Sequence, residues 1–337
     1  MSSAEPLVTL LADGALHSGE RLAEVLGVSR TAVWKVVADL RERGIPVLSV
    51  DRRGYKLEHP VELLQLAHLR AAAARGKGDL PAATEVIFEL GSTNEYLHAS
   101  TAPAPGQPRV VFAELQTAGR GRRGRSWLAP FGAGVTFSIG WSFADTPADL
   151  SALSLAMGVC VARELRDMGA PRIMLKWPND IVFEHRKLGG LLAQLRVEAG
   201  GPAYVVIGLG LNLQLPPSTR SALIAPSITP VADLAEAWAG TQPSRNEVAG
   251  RVASAMLDGL AHFARSGFAP FAAEWATLDS LRDVPVTVVR HDGVCAGVAR
   301  GADVDGALLL DTGGEILRVH AGEVSLRPAG SQAEPAP

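Results

Sequence analysis

The order of hydrophobic patterns along the 337-residue chain constrains its fold most strongly. The first sixty residues carry apolar side chains at helical spacing, and Gly27 and Gly44 end two of these stretches. The middle of the chain mixes strand-like and helix-like runs without the regular alternation of a doubly wound sheet, which favours a mixed sheet. From Val284 to Leu326, short strands separated by turn pairs are typical of a small β-barrel. The sequence therefore predicts an α+β protein of three modules.

The N-terminal module has the pattern of a winged helix-turn-helix. Ser29 can cap its third helix, and β-like alternation around Arg52-Arg53-Gly54 predicts the hairpin wing. An alanine- and leucine-rich stretch from Val61 to Arg75 predicts a connecting helix. We expect the domain boundaries to be 1–60 for the winged helix, 61–83 for the linker helix, 84–280 for the central domain and 281–328 for the C-terminal module.

Composition excludes several classes of protein. Hydrophobic residues make up 47% of the chain and its formal net charge is −3, so it is not a globally basic nucleic-acid binder, although a local patch remains possible. Cys160 and Cys295 have no CxxC or metal-ligand spacing, which fits a reducing compartment. No apolar run resembles a signal peptide or spans a bilayer. We therefore expect a cytoplasmic protein without membrane contact.

The strongest chemical motif is the segment from Gly119 to Trp127, which contains four arginines in nine residues directly after a strand-like run. Glycines allow the backbone to approach a ligand closely, and arginines bind phosphate in a bidentate manner. A solvated basic loop or a nucleic-acid patch would have the same composition. The motif alone does not decide between these interpretations.

Three further motifs each allow two interpretations. The lysines of Lys176–Asp180 and Arg186–Gly190 suit a carboxylate–phosphate junction, but an ordinary surface Lys/Asp pair would look the same. The hydroxyls of Gly91–Asn94 could bind a buried carbonyl or simply cap a helix. Asn212, which ends the run from Gly208, could read an adenine edge, although such a pattern is weak by itself.

Taken together and in this order, GRGRRGRSW, KWPND, RKLGG and GLGLN closely resemble the bifunctional biotin ligase and biotin operon repressor family of bacteria. The resemblance covers nearly the whole chain. It implies a winged helix-turn-helix, a class II synthetase-like catalytic domain of the biotin/lipoate ligase type, and an SH3-like C-terminal barrel. It also implies activation of biotin with ATP and Mg²⁺ to biotinyl-5'-AMP, followed by transfer to a lysine of the biotin carboxyl carrier protein of acetyl-CoA carboxylase.

The resemblance assigns roles to individual residues, with Lys187 and Arg122 as the implied catalytic pair. The implied biotin contacts are Ser92, Thr93, Asn94, Gln116, Arg120, Gly121, Arg122, Trp127 and Lys187. The implied ATP and adenylate contacts are Arg120, Arg122, Arg125, Lys176, Asp180 and Asn212. No protein ligand is assigned to Mg²⁺, because triphosphate and water can bind it. Ser126 and Gln194 depart from the family pattern, which often has a lysine and an acidic residue at these places.

The resemblance also implies repression of biotin synthesis genes through operator DNA, with a homodimer controlled by the adenylate. Residues 1–60 contain eight basic and eight acidic residues, so DNA binding depends on local placement. The implied DNA contacts are Arg30, Thr31, Lys35, Arg52 and Arg53. A winged helix that serves only protein contacts is the alternative for this module. For the whole chain, the alternatives are a lipoate or octanoyl ligase and a biotin-sensing transcription factor without ligase activity.

Overall fold

The computed structural model describes residues 4–197, 203–217, 230–290, 293–320 and 325–328. The N-terminal region contains three helices and a hairpin. Ser18 and Ser29 cap the second and third helices, and Gly27 ends the second in the left-handed conformation at φ 64°. The turn predicted between these helices is therefore confirmed. The elements are α1 Ala4–Leu11, α2 Gly19–Leu26, α3 Arg30–Glu42, β1 Val47–Val50 and β2 Gly54–Leu57.

The hairpin wing is anchored to the helices through backbone pairing between His17 and Tyr55. Gly54 starts β2 with φ 150°, and a Cβ at this position would lie 2.0 Å from the His17 carbonyl oxygen. A larger residue cannot occupy this position without displacing the strand. The turn before it, Asp51–Arg53, projects into solvent.

The connecting helix is shorter than predicted. It runs over Leu66–Ala74 (α4), whereas the sequence pattern placed its start at Val61. Residues before Leu66 are extended because side chains of the central domain accept hydrogen bonds from their backbone. Leu64 N–H donates to the Glu114 carboxylate, and Gln65 N–H donates to Asn246 Oδ1 at 2.8 Å. The prediction was wrong for residues 61–65, where distant partners satisfy the backbone instead of a helix.

The central region is a mixed sheet, as predicted, and it has seven strands in the described part of the chain. Its strands are β3 Thr84–Leu90, β4 Arg109–Gln116, β5 Gly134–Ser142, β6 Ile173–Lys176, β7 Asp180–Phe183, β8 Arg186–Val197 and β9 Ala203–Asn212. Their order is β3-β4-β5-β9-β8-β7-β6, and β3 and β4 are parallel while the other neighbours are antiparallel.

Helices of the central region pack on the sheet and close its hydrophobic core. They are α5 Thr93–Ala99, α6 Leu153–Asp167, α7 Leu234–Ala237, α8 Arg245–Ser266 and α9 Ala269–Leu278. Helix α8 crosses α6 closely, since a Cβ on Gly259 would lie 2.3 Å from Cys160 Sγ. Burial there raises the pKa of the Cys160 thiol to about 12. Within the described ranges, no helix combines the length and apolarity that a bilayer crossing requires.

The C-terminal region is a small antiparallel sheet. Its strands are β10 Pro285–Arg290, β11 Gly293–Ala302, β12 Leu308–Asp311, β13 Ile316–Val319 and β14 Ser325–Pro328. They are arranged in the order β13-β12-β11-β10-β14. Trp177 fixes it to the central domain by donating its indole N–H to the Gly306 carbonyl at 3.0 Å. In the described part of this region, no pairing joins the edge strands β13 and β14. The small β module is confirmed, whereas closure into the predicted barrel is not.

A buried ion pair joins the connecting segment to the central sheet. Arg245, at the start of α8, contacts Glu114 of β4 at 2.6 Å, and their side chains are 6% and 4% exposed. Arg245 also donates to the carbonyl oxygens of Glu62 at 3.0 Å and Gly134 at 2.9 Å. The second Glu114 oxygen accepts from Leu64 N–H. Four separate parts of the chain therefore meet at one pair of charges.

We expect Arg245→Met to destabilise the protein strongly. The substitution leaves the Glu114 carboxylate buried without its cation, which typically costs about 3–5 kcal/mol in the free energy of unfolding. Urea denaturation measures this change. Arg75→Met is the matched control, because Arg75 pairs with Glu247 at 3.7 Å near the surface and such pairs contribute less than about 1 kcal/mol. Equal losses of stability in the two variants would contradict the claim that the buried ion pair stabilises the fold more than a surface ion pair.

Candidate functional site

Two parallel strands end side by side at the edge of the site. Leu90 of β3 lies opposite Gln116 of β4, so the segment after β3 begins where Gln116 stands. Ser92, Thr93 and Asn94 follow there and are at most 5% exposed. Ser92 occupies the N-cap position of α5, yet its side chain makes no capping hydrogen bond. Simple helix capping therefore does not explain this hydroxyl.

A hydroxyl–amide network lines the floor of this pocket. Thr93 donates to Gln116 Oε1 through its backbone N–H at 2.7 Å, and its hydroxyl lies 3.2 Å from the same oxygen. Ser138 of β5 lies with its Oγ 2.7 Å from the Thr93 hydroxyl oxygen. Two strands and a helix start thus supply polar groups with defined orientations inside an apolar sheet. Such a pocket suits a small polar ring.

Asn94 extends the network across the sheet. Its Oδ1 accepts from the Ser138 hydroxyl at 2.6 Å, and its Nδ2 donates to the Leu192 carbonyl at 3.0 Å and to Gln194 Oε1 at 2.9 Å. Gly208 of β9 makes room for it, because a Cβ at Gly208 would lie 2.0 Å from Asn94 Oδ1. The first glycine of the GLGLN motif therefore allows the Asn94 side chain to pack closely against the strand.

The glycine- and arginine-rich segment folds back on itself as a closed loop. Gly121 N–H donates to the Arg125 carbonyl at 2.7 Å, and Trp127 N–H donates to Gly119 at 2.9 Å. Arg120 faces Ser126 across an isolated bridge, and Arg120 and Arg125 are exposed to solvent. The family departure at Ser126 thus lies on the outer face of the loop.

Arg122 points from this loop towards the sheet. Its Nη1 donates to Asn179 Oδ1 at 3.3 Å. Burial lowers the pKa of the Arg122 guanidinium, and the nearby Asp180 carboxylate opposes this effect. A guanidinium stays protonated at neutral pH under both influences, so Arg122 is a permanent, partly desolvated cation beside the pocket.

Trp127 covers the pocket from the loop side. Its indole lies directly on Gly210, where a Cβ would come within 2.3 Å of the ring atom Cε2. The Lys187 ammonium lies 5.9 Å from the centre of the indole ring. Trp127 Nε1 is buried, and within the described part of the chain it has no hydrogen-bond partner. A buried donor of this kind is suited to meet a polar group of a bound ligand.

Lys187 and Asp180 form an ion pair next to Arg122. Lys187 Nζ lies 2.7 Å from Asp180 Oδ1, and their side chains are 30% and 20% exposed. A Cβ on Gly190 would lie 3.5 Å from both groups, so this glycine leaves them open on one side. Lys176 stands opposite Asp180 in the β6–β7 register. The KWPND and RKLGG motifs therefore bring their charges together at one end of the pocket.

Asn212 is placed at the far end of β9, where it faces the start of β5. Its Nδ2 donates to the Ala232 carbonyl at 3.0 Å, and the side chain is 5% exposed. The same short segment is held from the other side, because Lys187 N–H donates to Pro230 and Ala232 N–H donates to Lys187. Asn212 and Lys187 thus flank residues 230–232, and an adenine contact of Asn212 stays a prediction.

The three regions match three known families. The Biotin/lipoate A/B protein ligase family matches residues 89–212, an HTH domain family matches 6–56, and the Biotin protein ligase C terminal domain matches 283–327. The Bifunctional ligase/repressor BirA of Salmonella typhimurium is 38% identical over 323 residues, which is 96% of this chain and 97% of that protein. The chain belongs to the bifunctional biotin ligase/repressor family.

Other members of this biotin ligase family support the assignment. The Bifunctional ligase/repressor BirA of Escherichia coli is 37% identical over 96% of this chain and 97% of its own length. The structure of the Aquifex aeolicus biotin protein ligase in complex with biotin and ATP superimposes with a TM-score of 0.61 at 26% identity. The superposition covers 74% of this chain and 100% of the Aquifex chain.

The surface that family resemblance assigns to DNA lies on α3 and the wing. Arg30, Thr31 and Lys35 are exposed on one face of α3, and Arg52 and Arg53 are exposed in the wing turn. Arg30 pairs with Glu20 at 3.2 Å in a solvent-exposed contact. Trp34 does not pack inward but is 58% exposed on the same face.

Sequence reasoning missed three residues of the site, namely Ser138, Asn179 and Glu95. Ser138 is fully buried in β5, and the hydroxyls of Thr136 and Ser138 within a largely apolar run are the signal that could have revealed it. Asn179 orients Arg122 and donates to the Leu191 carbonyl at 2.6 Å. Glu95 lies one residue beyond the GSTN motif, and it contacts Arg120 at 3.4 Å.

We expect Gly208→Ala to weaken biotin binding by about tenfold or more. The added methyl group must displace the Asn94 amide, and overpacking of this kind costs about 1–3 kcal/mol. Titration calorimetry with biotin measures the loss. Gly314→Ala is the control, because its Cβ would have nothing within 4 Å. Unchanged affinity in the Gly208 variant would show that Asn94 does not shape the pocket.

Proposed function

We propose that this protein is a biotin–protein ligase that activates biotin with ATP and transfers it to a lysine of the biotin carboxyl carrier protein of acetyl-CoA carboxylase. One juxtaposition carries the proposal. A buried pocket of fixed donors and acceptors around Thr93 and Ser138 adjoins a cluster of three charges, Arg122, Asp180 and Lys187. The pocket can hold the ring of biotin, and the neighbouring cations can stabilise the negative charge that builds up where its carboxylate joins the phosphate.

The residues divide by the part of the substrate they would meet. The ureido ring would meet hydroxyls and amides, the valeryl chain would lie against Trp127, and the adenylate would meet the cations. The proposed biotin contacts are Ser92, Thr93, Asn94, Gln116, Arg120, Gly121, Arg122, Trp127 and Lys187. The proposed ATP and adenylate contacts are Arg120, Arg122, Arg125, Lys176, Asp180 and Asn212. The buried indole N–H of Trp127 has no hydrogen-bond partner among the described residues, and this supports the assignment because such a donor would gain a partner from a polar ligand atom.

The proposed reaction has two steps. The biotin carboxylate attacks the α-phosphorus of ATP, which forms biotinyl-5'-AMP and releases pyrophosphate. The amine of the carrier lysine then attacks the acyl carbon and expels AMP. No enzyme nucleophile is required, so the contribution of Lys187 and Arg122 is to position the reactants and stabilise negative charge. The loop from Gly119 to Trp127 would exclude water from the mixed anhydride.

Mg²⁺ would enter with the nucleotide. Among the described residues, no group of three or more histidines, cysteines, aspartates or glutamates is arranged to hold a metal ion. The triphosphate oxygens and water are then the natural ligands of Mg²⁺, which would neutralise charge on the phosphates.

The domain assignment follows the same proposal. We assign residues 1–60 to DNA binding, 61–83 to the linker, 84–280 to catalysis and 281–328 to an SH3-like C-terminal domain. The protein would act in the cytoplasm. A homodimer formed through the central sheet and favoured by the adenylate would place two winged helices on operator DNA. Gel shifts that are identical with and without biotin and ATP would argue against this control.

Biotin-dependent ATP–pyrophosphate exchange tests the first step. We expect exchange with biotin but not with lipoate, and we expect Lys187→Met to lower its kcat/KM by at least about 100-fold, because a preorganised charge at the reacting group is lost. Lys77→Met is the control, since Lys77 is exposed on the linker. Exchange with lipoate alone would move the protein to the lipoate ligases. A folded protein that binds biotin without exchange would instead be a sensor.

DNA binding by the N-terminal module is a second activity, favoured by the exposed cations on α3 and the wing. We expect the double variant Arg52→Ala/Arg53→Ala to bind a non-specific duplex more weakly and to reduce the slope of log K against log salt by about 2. Fluorescence anisotropy at several salt concentrations measures the slope. Arg282→Ala, in the C-terminal region, should leave it unchanged. An unaltered slope in the double variant would mean that the wing does not contact phosphate.

A further inference from the structure

A glutamine links the ring pocket to the basic loop. Gln194 of β8 accepts a hydrogen bond from Asn94 Nδ2 at 2.9 Å through its Oε1. Its Nε2 lies 3.4 Å from Glu95 Oε1, and the same carboxylate oxygen lies 3.4 Å from Arg120 Nη1. An unbroken chain of polar contacts therefore runs from the buried hydroxyls to an arginine of the loop.

This chain has one consistent direction. A carboxylate can only accept hydrogen bonds, so Glu95 fixes which end of the Gln194 amide is the donor. Gln194 then presents its oxygen to Asn94, whose two N–H groups point at Gln194 and at the Leu192 carbonyl. The Asn94 oxygen is left to accept from the Ser138 hydroxyl at 2.6 Å. The Leu192 carbonyl and the Gln194 oxygen thus orient the Asn94 amide together, and a carboxylate outside the pocket, that of Glu95, orients the Gln194 amide.

We propose that Gln194 and Glu95 form a positioning pair that, together with the Leu192 carbonyl, fixes the hydrogen-bond polarity of the biotin ring pocket. The inference rests on the proposed function, since it assigns the ring of biotin to this pocket. Both residues act through Asn94 and Ser138. The pair needs one amide and one carboxylate. A carboxylate at position 194 would lie close to that of Glu95, and the two would repel each other without a hydrogen bond between them.

The charged surroundings of the pair determine how such a change behaves. Arg120 of the loop is the cation that contacts Glu95. Arg196 lies two residues along β8 and donates to the His98 carbonyl oxygen at 2.6 Å, on the same helix as Glu95. Tyr96 and His98 are the other titratable residues of this helix. Two adjacent carboxylates in this setting would share a proton at low pH and repel each other at high pH.

Steady-state exchange kinetics of Gln194→Glu test the pair. The quantity to compare is the ratio of the variant's KM for biotin to that of the wild type at each pH. We expect this ratio to rise about five- to tenfold between about pH 5.5 and pH 8.5. The reason is that two adjacent carboxyls raise the pKa of one of them, which then loses its proton in this range. We expect kcat to change by less than about twofold, because no group at the reacting atoms is altered.

The double variant Glu95→Gln/Gln194→Glu provides the rescue. It restores one amide and one carboxylate in exchanged positions, so KM should return to within about threefold of the wild type and lose its extra pH dependence. Glu95→Gln completes the cycle, and Gln107→Glu makes the same chemical change on an exposed loop. A flat KM ratio in Gln194→Glu, or a double variant no better than it, would overturn the inference. A wild-type protein without exchange would instead contradict the proposed function.

Discussion

The ion pair between Arg245 and Glu114 is the constraint on which the other parts of the structure depend. Two opposite charges in a dry interior gain little net stability, but leaving either one alone is costly, so the pair enforces one arrangement of everything attached to it. Glu114 lies two residues before Gln116, on the same side of β4. Arg245 holds the carbonyl of Gly134, which stands opposite Asn212. The end of β4 and the start of β5, which lies opposite the end of β9, are therefore both bonded to Arg245 in the first turn of α8.

The winged helix is fixed to the catalytic region by packing as well as by the chain. Leu115 and Phe131 of the central region belong to the same apolar cluster as the leucines of α1 to α3. Arg43, at the end of α3, forms ion pairs with Asp39 and with Glu89 of β3. A continuous core transmits orientation, whereas a flexible tether does not. Leu115 immediately precedes Gln116, so the module that would meet DNA contacts the strand that would meet biotin.

Periodicity in the sequence was enough to predict the helices of the N-terminal region, the turn at Gly27 and the mixed sheet. These features depend on local patterns of apolar residues and on capping groups. The start of α4 was not predictable, because the partners that keep residues 62–65 extended lie far along the chain at Glu114 and Asn246. Ser138 escaped notice for a similar reason. Only the pairing of β5 with β9, and the helix start beside them, brings its hydroxyl to Asn94.

Two glycines of β9 let side chains of the pocket lie directly on the sheet. Gly208 makes room for Asn94, and Gly210 makes room for Trp127. The space at these two positions cannot be adjusted in small steps, because every other amino acid adds a side chain there. The side chains that lie on the glycines, in contrast, can be exchanged for ones of graded size. Selection for a different acyl chain would therefore act first on Trp127 and the loop that carries it, while the two glycines stayed unchanged through that divergence.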